Sequence, residues 1–277
     1  MSVFTPKQAV PRQPSYFALL AGDITDRVAH KLLPLLPPIT SESIVHDNAC
    51  GLGAVTKAIM HPSSPSPCRI KATDINTHML ESLHADSVRN HWPVETEAIP
   101  AQELPFEDNT FTHSINSFSI MLVEQDADVI AHVYRTLKPG GAALFSIWND
   151  PILVRAVLAA HRATRPADMP VPPAVQRGSF DAAALTKLLE GSDFAQHQLT
   201  WTTAQESMLV DDLRHWLTVA WTFLGQTNQG WLREDEENWN AAIRVMEQTV
   251  KGWNGYEGLA GEAAILIMKA DVVVAMK

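Results

Sequence analysis

Two aspartates close short strand-like runs early in the chain. Asp47 ends the run Ile44-Val45-His46-Asp47 and leads into Asn48-Ala49-Cys50-Gly51-Leu52-Gly53; Asp74 follows the run Arg69 to Thr73. A carboxylate ahead of a glycine loop attracts a cationic group. Glycines at 51 and 53 let the backbone come close to a ligand and take positive φ. A carboxylate at the end of the next strand accepts hydrogen bonds from ribose hydroxyls. The loop is a poor dinucleotide fingerprint, because Thr56 stands where a third small residue is wanted. Asp47 would also face a pyrophosphate with like charge. A ligand with an ammonium, a sulfonium and a ribose but no phosphate suits this set, and S-adenosylmethionine (SAM) is such a ligand.

The elements that must hold these residues follow from periodicity. Residues 1 to about 15 carry Pro6, Pro11 and Pro14 and read as a mobile arm, and Tyr16 to Leu36 reads as a helix stopped by Pro37 and Pro38. Strands are expected at 44–48, 69–73, 94–99, 111–118 and 142–148. Helices are expected from Gly53 to about Met60, from Thr77 to Asn90 and from Glu124 to Leu137. The stretch His61 to Pro67 reads as a surface loop and Lys138-Pro139-Gly140-Gly141 as a helix stop and turn. This alternation implies an α/β fold with a mainly parallel sheet and helices on both faces. Asp47, Asp74, Gln102 and Asn116 then gather at the carboxyl ends of the strands, where such sheets bind ligands. Beyond Trp148 the pattern loosens. Phe180 to Gly191 reads as a helix and Phe194 to Thr203 as a sixth strand. Asp211 to Val250 reads as two helical stretches rich in aromatics, and Ala263 to Ala275 as a long final strand.

The bulk numbers narrow the class. The 277 residues carry a formal net charge of −10, which argues against nucleic-acid and anionic-membrane partners. Two cysteines, Cys50 and Cys68, make neither a disulfide framework nor a structural zinc site. No signal peptide or membrane-spanning run is read, so a cytoplasmic location is expected. His132, His161 and His215 fall in helical stretches without metal-site spacing, so no metal is expected. Cys50 reads as a small residue that fits its loop.

Four segments in order, VHDNACGLG (Val45 to Gly53), ATDIN (Ala72 to Asn76), AQELPFEDNTF (Ala101 to Phe111) and HVYRTLKPGGAALFSIW (His132 to Trp148), resemble the class I SAM-dependent methyltransferases. Overall length, the DNACGLGAVT wording and the aromatic stretch are similar to small fungal enzymes of secondary metabolism, the gliotoxin-type thiol methyltransferases in particular. The resemblance implies a Rossmann-like, doubly wound, seven-stranded sheet with a small helical cap insertion. It implies an arm and helix over 1–40 covering the cofactor site, a SAM-binding core over 41–150, and a 151–277 portion completing the sheet with a helical lid at about 211–250. It places Asp47 and the Ala49, Gly51 and Gly53 backbone at the methionine end, and Tyr16 over the carboxylate. Asp74 would hold the ribose, with Ile75 and Met79 beside the adenine, Ala101 and Gln102 at its edge, and Asn116 on the floor. The family often has an acid just before the Ala101 position; here Pro100 stands there, so Gln102 or the backbone must meet the adenine amine.

The acceptor is read from less. Phe118 and Trp148, at strand ends, and Trp221 and Phe223, in the aromatic stretch, are the expected pocket residues, although aromatics at helical spacing are more often core. No base is convincingly placed. A thiol is a few per cent ionised at neutral pH, whereas a phenol gains more from a base. The expectation is S-methylation of a small apolar thiol or dithiol, yielding S-adenosylhomocysteine (SAH). O- or C-methylation of a phenol, polyketide or quinone, or SAM binding without methyl transfer, stays open. The oligomeric state is not read.

Overall fold

The computed structural model describes residues 4–61, 68–177, 180–194 and 199–277. Residues 62–67 of the proline- and serine-rich loop and 195–198 of the expected sixth strand lie outside the described residues. The strands are β1 (Ile44–Asn48), β2 (Arg69–Asp74), β3 (Val94–Ala98), β4 (Phe111–Ser117), β5 (Leu137–Asn149), β6 (Leu199–Val210), β7 (Tyr256–Gly258) and β8 (Ala264–Met276). The α-helices are α1 (Pro14–Ala21), α2 (Ile24–Leu32), α3 (Ala54–Ile59), α4 (Thr77–Asn90), α5 (Asp126–Thr136), α6 (Ile152–Thr164), α7 (Ala182–Glu190), α8 (Leu213–Leu224) and α9 (Arg233–Lys251).

The strands form one sheet in the order β3-β2-β1-β4-β5-β8-β6, with β7 paired off that path to β8. The β1–β2, β1–β4, β2–β3 and β4–β5 pairings are parallel, and β8 runs antiparallel to β5. Sheets covered by helices on both faces bury both sides of their central strands, and β1 is buried from Val45 through Asn48. One face packs Phe111, Phe145 and Val273 against Val129, Ile130 and Val133 of α5. This is the Rossmann-like class I methyltransferase fold. Among the described residues the main path of the sheet holds seven strands, as expected, and β7 adds three residues folded onto β8.

Other expectations need correction. Tyr16 to Leu36 is two helices, because Gly22 breaks it with φ of 52°. Lys138 to Gly141 is a bulge inside β5: Phe111 pairs with Leu137 and His113 with Ala142, so the extra residues are looped out. Helix α6 gave no clear signal. The arm is not loose over residues 7–12. The Lys7 N–H donates to Glu236, the Val10 N–H to Thr222 Oγ1, and Arg12 to the Thr222 carbonyl.

The chain divides into two compact units. One is Thr25–Asn149, Phe180–Gln205 and Lys269–Lys277; the other is Met1–Ile24, Asp150–Ser179 and Glu206–Met268. The first holds β1 to β5 and the loops at their carboxyl ends. The second is mainly helical and holds the aromatic stretch. Its centre is the Arg165–Asp235 ion pair, Nε to Oδ1 at 2.7 Å, with both side chains nearly inaccessible. Arg165 lies 4.7 Å from the Trp221 ring centroid and 5.4 Å from that of Trp231.

Candidate functional site

Asp47 sits near the end of β1 and is 2 % exposed. Its Oδ2 accepts the Thr56 N–H at 3.0 Å and the Thr56 hydroxyl at 2.7 Å, tying it to the first turn of α3. The Thr that spoils the dinucleotide pattern is therefore the residue that holds Asp47. Oδ1 has no partner among the described residues. Burial pushes the carboxyl up to about 6, against the pull of the Thr56 hydrogen bonds and with help from nearby Asp74. A cation placed at Oδ1 would restore the charge.

Asp74 ends β2 and clamps the loop. Its Oδ2 accepts the Gly51 N–H at 2.8 Å and its Oδ1 the Asn76 N–H at 2.8 Å. A carboxylate has about four acceptor positions, so two remain, matching a ribose diol. The helix cap next door is Asn76, whose side chain accepts from the His78 and Met79 N–H groups, which leaves Asp74 for a ligand. Ala49, Gly51 and Gly53 take φ of 54°, 55° and 81°. A Cβ on Gly53 would stand 2.4 Å from Leu83 Cδ1, so that glycine is fixed by packing as well as by conformation. Ile75 is 75 % exposed directly after Asp74, an apolar side chain left open beside the carboxylate. Met79 is half-buried on α4. This donor set, two carboxylates around a positive-φ loop with an open apolar neighbour, fits the cationic and ribosyl parts of SAM.

The remaining expected residues separate. Ala101 is buried and Gln102 half-buried in a turn closed by the Glu103 N–H donating to the Pro100 carbonyl. Asn116 is fully buried on β4, and neither polar atom of its carboxamide has a partner among the described residues. Phe118 and Trp148 stack at 3.9 Å between centroids and 9° between planes. Phe118 takes φ of 56°, a strained backbone for a bulky residue. Cys50 is buried, and burial together with Asp47 and Asp74 pushes its thiol far up, so it stays protonated.

Tyr16, Trp221 and Phe223 belong to the helical unit. Tyr16 is half-buried with its ring 6.2 Å from that of His215. Trp221 is 1 % exposed and packs 5.8 Å from Trp231, which makes it core. Trp216, Trp231 and Trp239 are buried as well, so the packing reading prevails for the aromatic stretch. Phe223 stays half-buried with Arg12 5.9 Å over its ring. Thr56, Asn48, Thr73 and His46 were not foreseen at the site. Their signal is a run of polar residues inside strands that bury both faces.

Residues 46–145 match the methyltransferase domain family. The chain is 21% identical over 254 residues to methyltransferase ktnA of Aspergillus niger, a match spanning 80% of this chain and 82% of that one. It is 34% identical over 97 residues to the ubiquinone/menaquinone biosynthesis C-methyltransferase UbiE of Desulfotalea psychrophila, covering 35% of this chain and 38% of that one. A Haemonchus contortus N-methyltransferase 2 structure, in complex with phosphomonomethylethanolamine and SAH, superposes with a TM-score of 0.56 at 14% identity, covering 96% of this chain and 58% of that one. Fold, domain match and donor set agree on SAM as the cofactor.

Proposed function

We propose that this SAM-dependent methyltransferase, which takes a small-molecule acceptor, methylates sulfur: a thiol or dithiol of an apolar secondary metabolite, in the manner of the gliotoxin-type enzymes. The observation that carries this reading is the state of the titratable groups around the loop. Asp74 already accepts two N–H groups, Asp47 is tied to Thr56, and Cys50 is held protonated. In this reading both carboxylates are taken up by the cofactor, Asp47 by its cationic end and Asp74 by its ribose, and Cys50 keeps its proton, so none is left as a base for the acceptor. A thiol with a pKa of about 8.5 presents enough thiolate near neutral pH to need no base, whereas a phenol near 10 does not.

When bound, SAM supplies a methyl carbon already activated by a sulfonium leaving group. The chain's own work is alignment and exclusion of water. Asp47 and the Ala49 to Gly53 backbone hold the methionine end, Asp74 the ribose, and Ile75 and Met79 flank the adenine. Ala101 and Gln102 border its edge, and Asn116 lies beneath. The Phe118–Trp148 stack gives an apolar, rigid wall against which an acceptor lies.

The test is a panel of thiols, phenols and quinones assayed with SAM and read by product mass. S-methyl products are expected. Methylation confined to phenol oxygen or quinone carbon would overturn the sulfur reading and favour the O- or C-transfer alternative.

A further inference from the structure

Four fully buried polar side chains on three adjacent strands form a single line of hydrogen bonds. Ser114 Oγ lies 3.4 Å from His46 Nδ1, and His46 Nε2 lies 3.0 Å from Thr73 Oγ1. The Thr73 hydroxyl donates to Asn48 Oδ1 at 3.3 Å, and Asn48 Nδ2 donates to the Ala101 carbonyl at 3.4 Å. Ser114, His46, Thr73 and Asn48 are all 0 % exposed. The donors run one way. Thr73 spends its only hydroxyl proton on Asn48, so it must accept from His46 Nε2–H, which leaves Nδ1 to accept from Ser114. That order fixes both the imidazole tautomer and the orientation of the Asn48 amide. Such chains strengthen one another in a low-dielectric interior.

One end of the line leaves the sheet, at the Ala101 carbonyl. Ala101 and Gln102 are the central residues of the turn closed from Glu103 to Pro100 at 3.0 Å. In a trans peptide the carbonyl and the following N–H point in opposite directions. With the Ala101 carbonyl drawn in towards Asn48, the Gln102 N–H faces away from it. No acceptor among the described residues takes that N–H.

We infer that Asn48 is a positioning residue for base recognition: it fixes the Ala101–Gln102 peptide plane so that the Gln102 N–H is presented as the donor for N1 of the adenine. This rests on the reading of the Ala101–Gln102 turn as the adenine edge. Adenine N1 is an acceptor, whereas hypoxanthine carries a proton there. A correctly oriented N–H therefore discriminates between the two bases.

The experiment measures dissociation constants of SAH and S-inosylhomocysteine for the full chain by calorimetry. The wild type is expected to prefer the adenosyl ligand, and Asn48→Leu to reduce that preference at least fivefold. Val157→Ala, a cavity in α6 of the helical unit, is the control for lost stability: it should lower Tm and leave the preference intact. A wild type indifferent to the base would overturn the adenine-edge reading. A full preference retained in Asn48→Leu overturns the positioning role alone. Should Asn48→Leu not fold, Thr73→Val removes the hydroxyl that orients the Asn48 amide, and full preference retained there has the same force.

Discussion

Binding of SAM or SAH should be linked to the ionisation of Asp47. In the free protein burial pushes this carboxyl up to about 6, so about nine-tenths of it is charged at pH 7 and about one-tenth at pH 5. The ligand's amine stays cationic and its carboxylate anionic across that range, leaving Asp47 as the group that changes. A ligand that needs the charged form binds with an apparent Kd divided by the charged fraction. Affinity should therefore fall about tenfold from pH 7 to pH 5, with a limiting slope of one decade per pH unit below 6 and a plateau above 7. Calorimetry with SAH at matched pH in two buffers of different ionisation enthalpy should also show net proton release near pH 6. Asp47→Asn should flatten the profile and bind more weakly above pH 7. A dissociation constant unchanged between pH 5 and 8, with no proton exchanged, refutes the role of Asp47 at the methionine end.

The same residue and its neighbour set opposite pH dependences of stability. Burial, reinforced by Lys71, holds His46 down at about 3. The unfolded chain binds this proton first as pH falls below 6.5, so the His46 contribution is full above 6.5 and is lost between 6.5 and 3, about 4–5 kcal/mol at most. For Asp47 the folded state binds the proton more tightly, so stability falls as pH rises from 3.8 through about 6, by about 3 kcal/mol. Urea unfolding of Asp47→Asn across pH 4–7 should remove the second slope and expose the first. Gly53→Ala should cost about 2–4 kcal/mol by the same assay, combining a positive φ with overpacking against Leu83; a change under 1 kcal/mol would show that Leu83 yields freely. Asp74→Ala should weaken SAH by at least tenfold through lost ribose contacts and the released Gly51 N–H, and an unchanged Kd removes Asp74 from the ribose role. Arg165→Met leaves Asp235 buried without its partner and should cost about 3–5 kcal/mol, with Arg165→Met/Asp235→Leu recovering most of it; a double variant no more stable than the single would contradict this.

What the sequence showed was what repeats locally. Strand β1, the helix from Thr77 to Asn90 and the aspartates at strand ends follow from apolar periodicity and are found where expected. What it hid depends on pairing. Gly140 reads as a helix terminator, yet only the β4 register turns Lys138 to Gly141 into a bulge. Trp221 is expected at the pocket although aromatics at helical spacing are more often core, and the decision comes from Arg165 and Trp231, both packed near its ring. Asp47 was legible as an acid closing a strand ahead of a glycine loop, but its raised proton affinity was not, because that comes from burial and from Asp74 across the neighbouring strand. The turn at Ala101 shows the same limit: its anchor, Asn48, belongs to another strand.

The place of β8 in the sheet bears on how the chain is made. It lies between β5 and β6, yet it follows the other strands of this sheet in the chain and is made after them. Residues 149 and 276 are about 130 residues apart, and at about 5–20 residues per second roughly 6 to 25 seconds of synthesis separate the completion of β5 from that of β8. Throughout that interval β5, apolar from Ala142 to Phe145 and again at Ile147, has an unpaired edge able to join other chains. Slowing elongation over 150–264 should then raise aggregation of nascent chains, and supplying residues 264–276 as a separate peptide should suppress it.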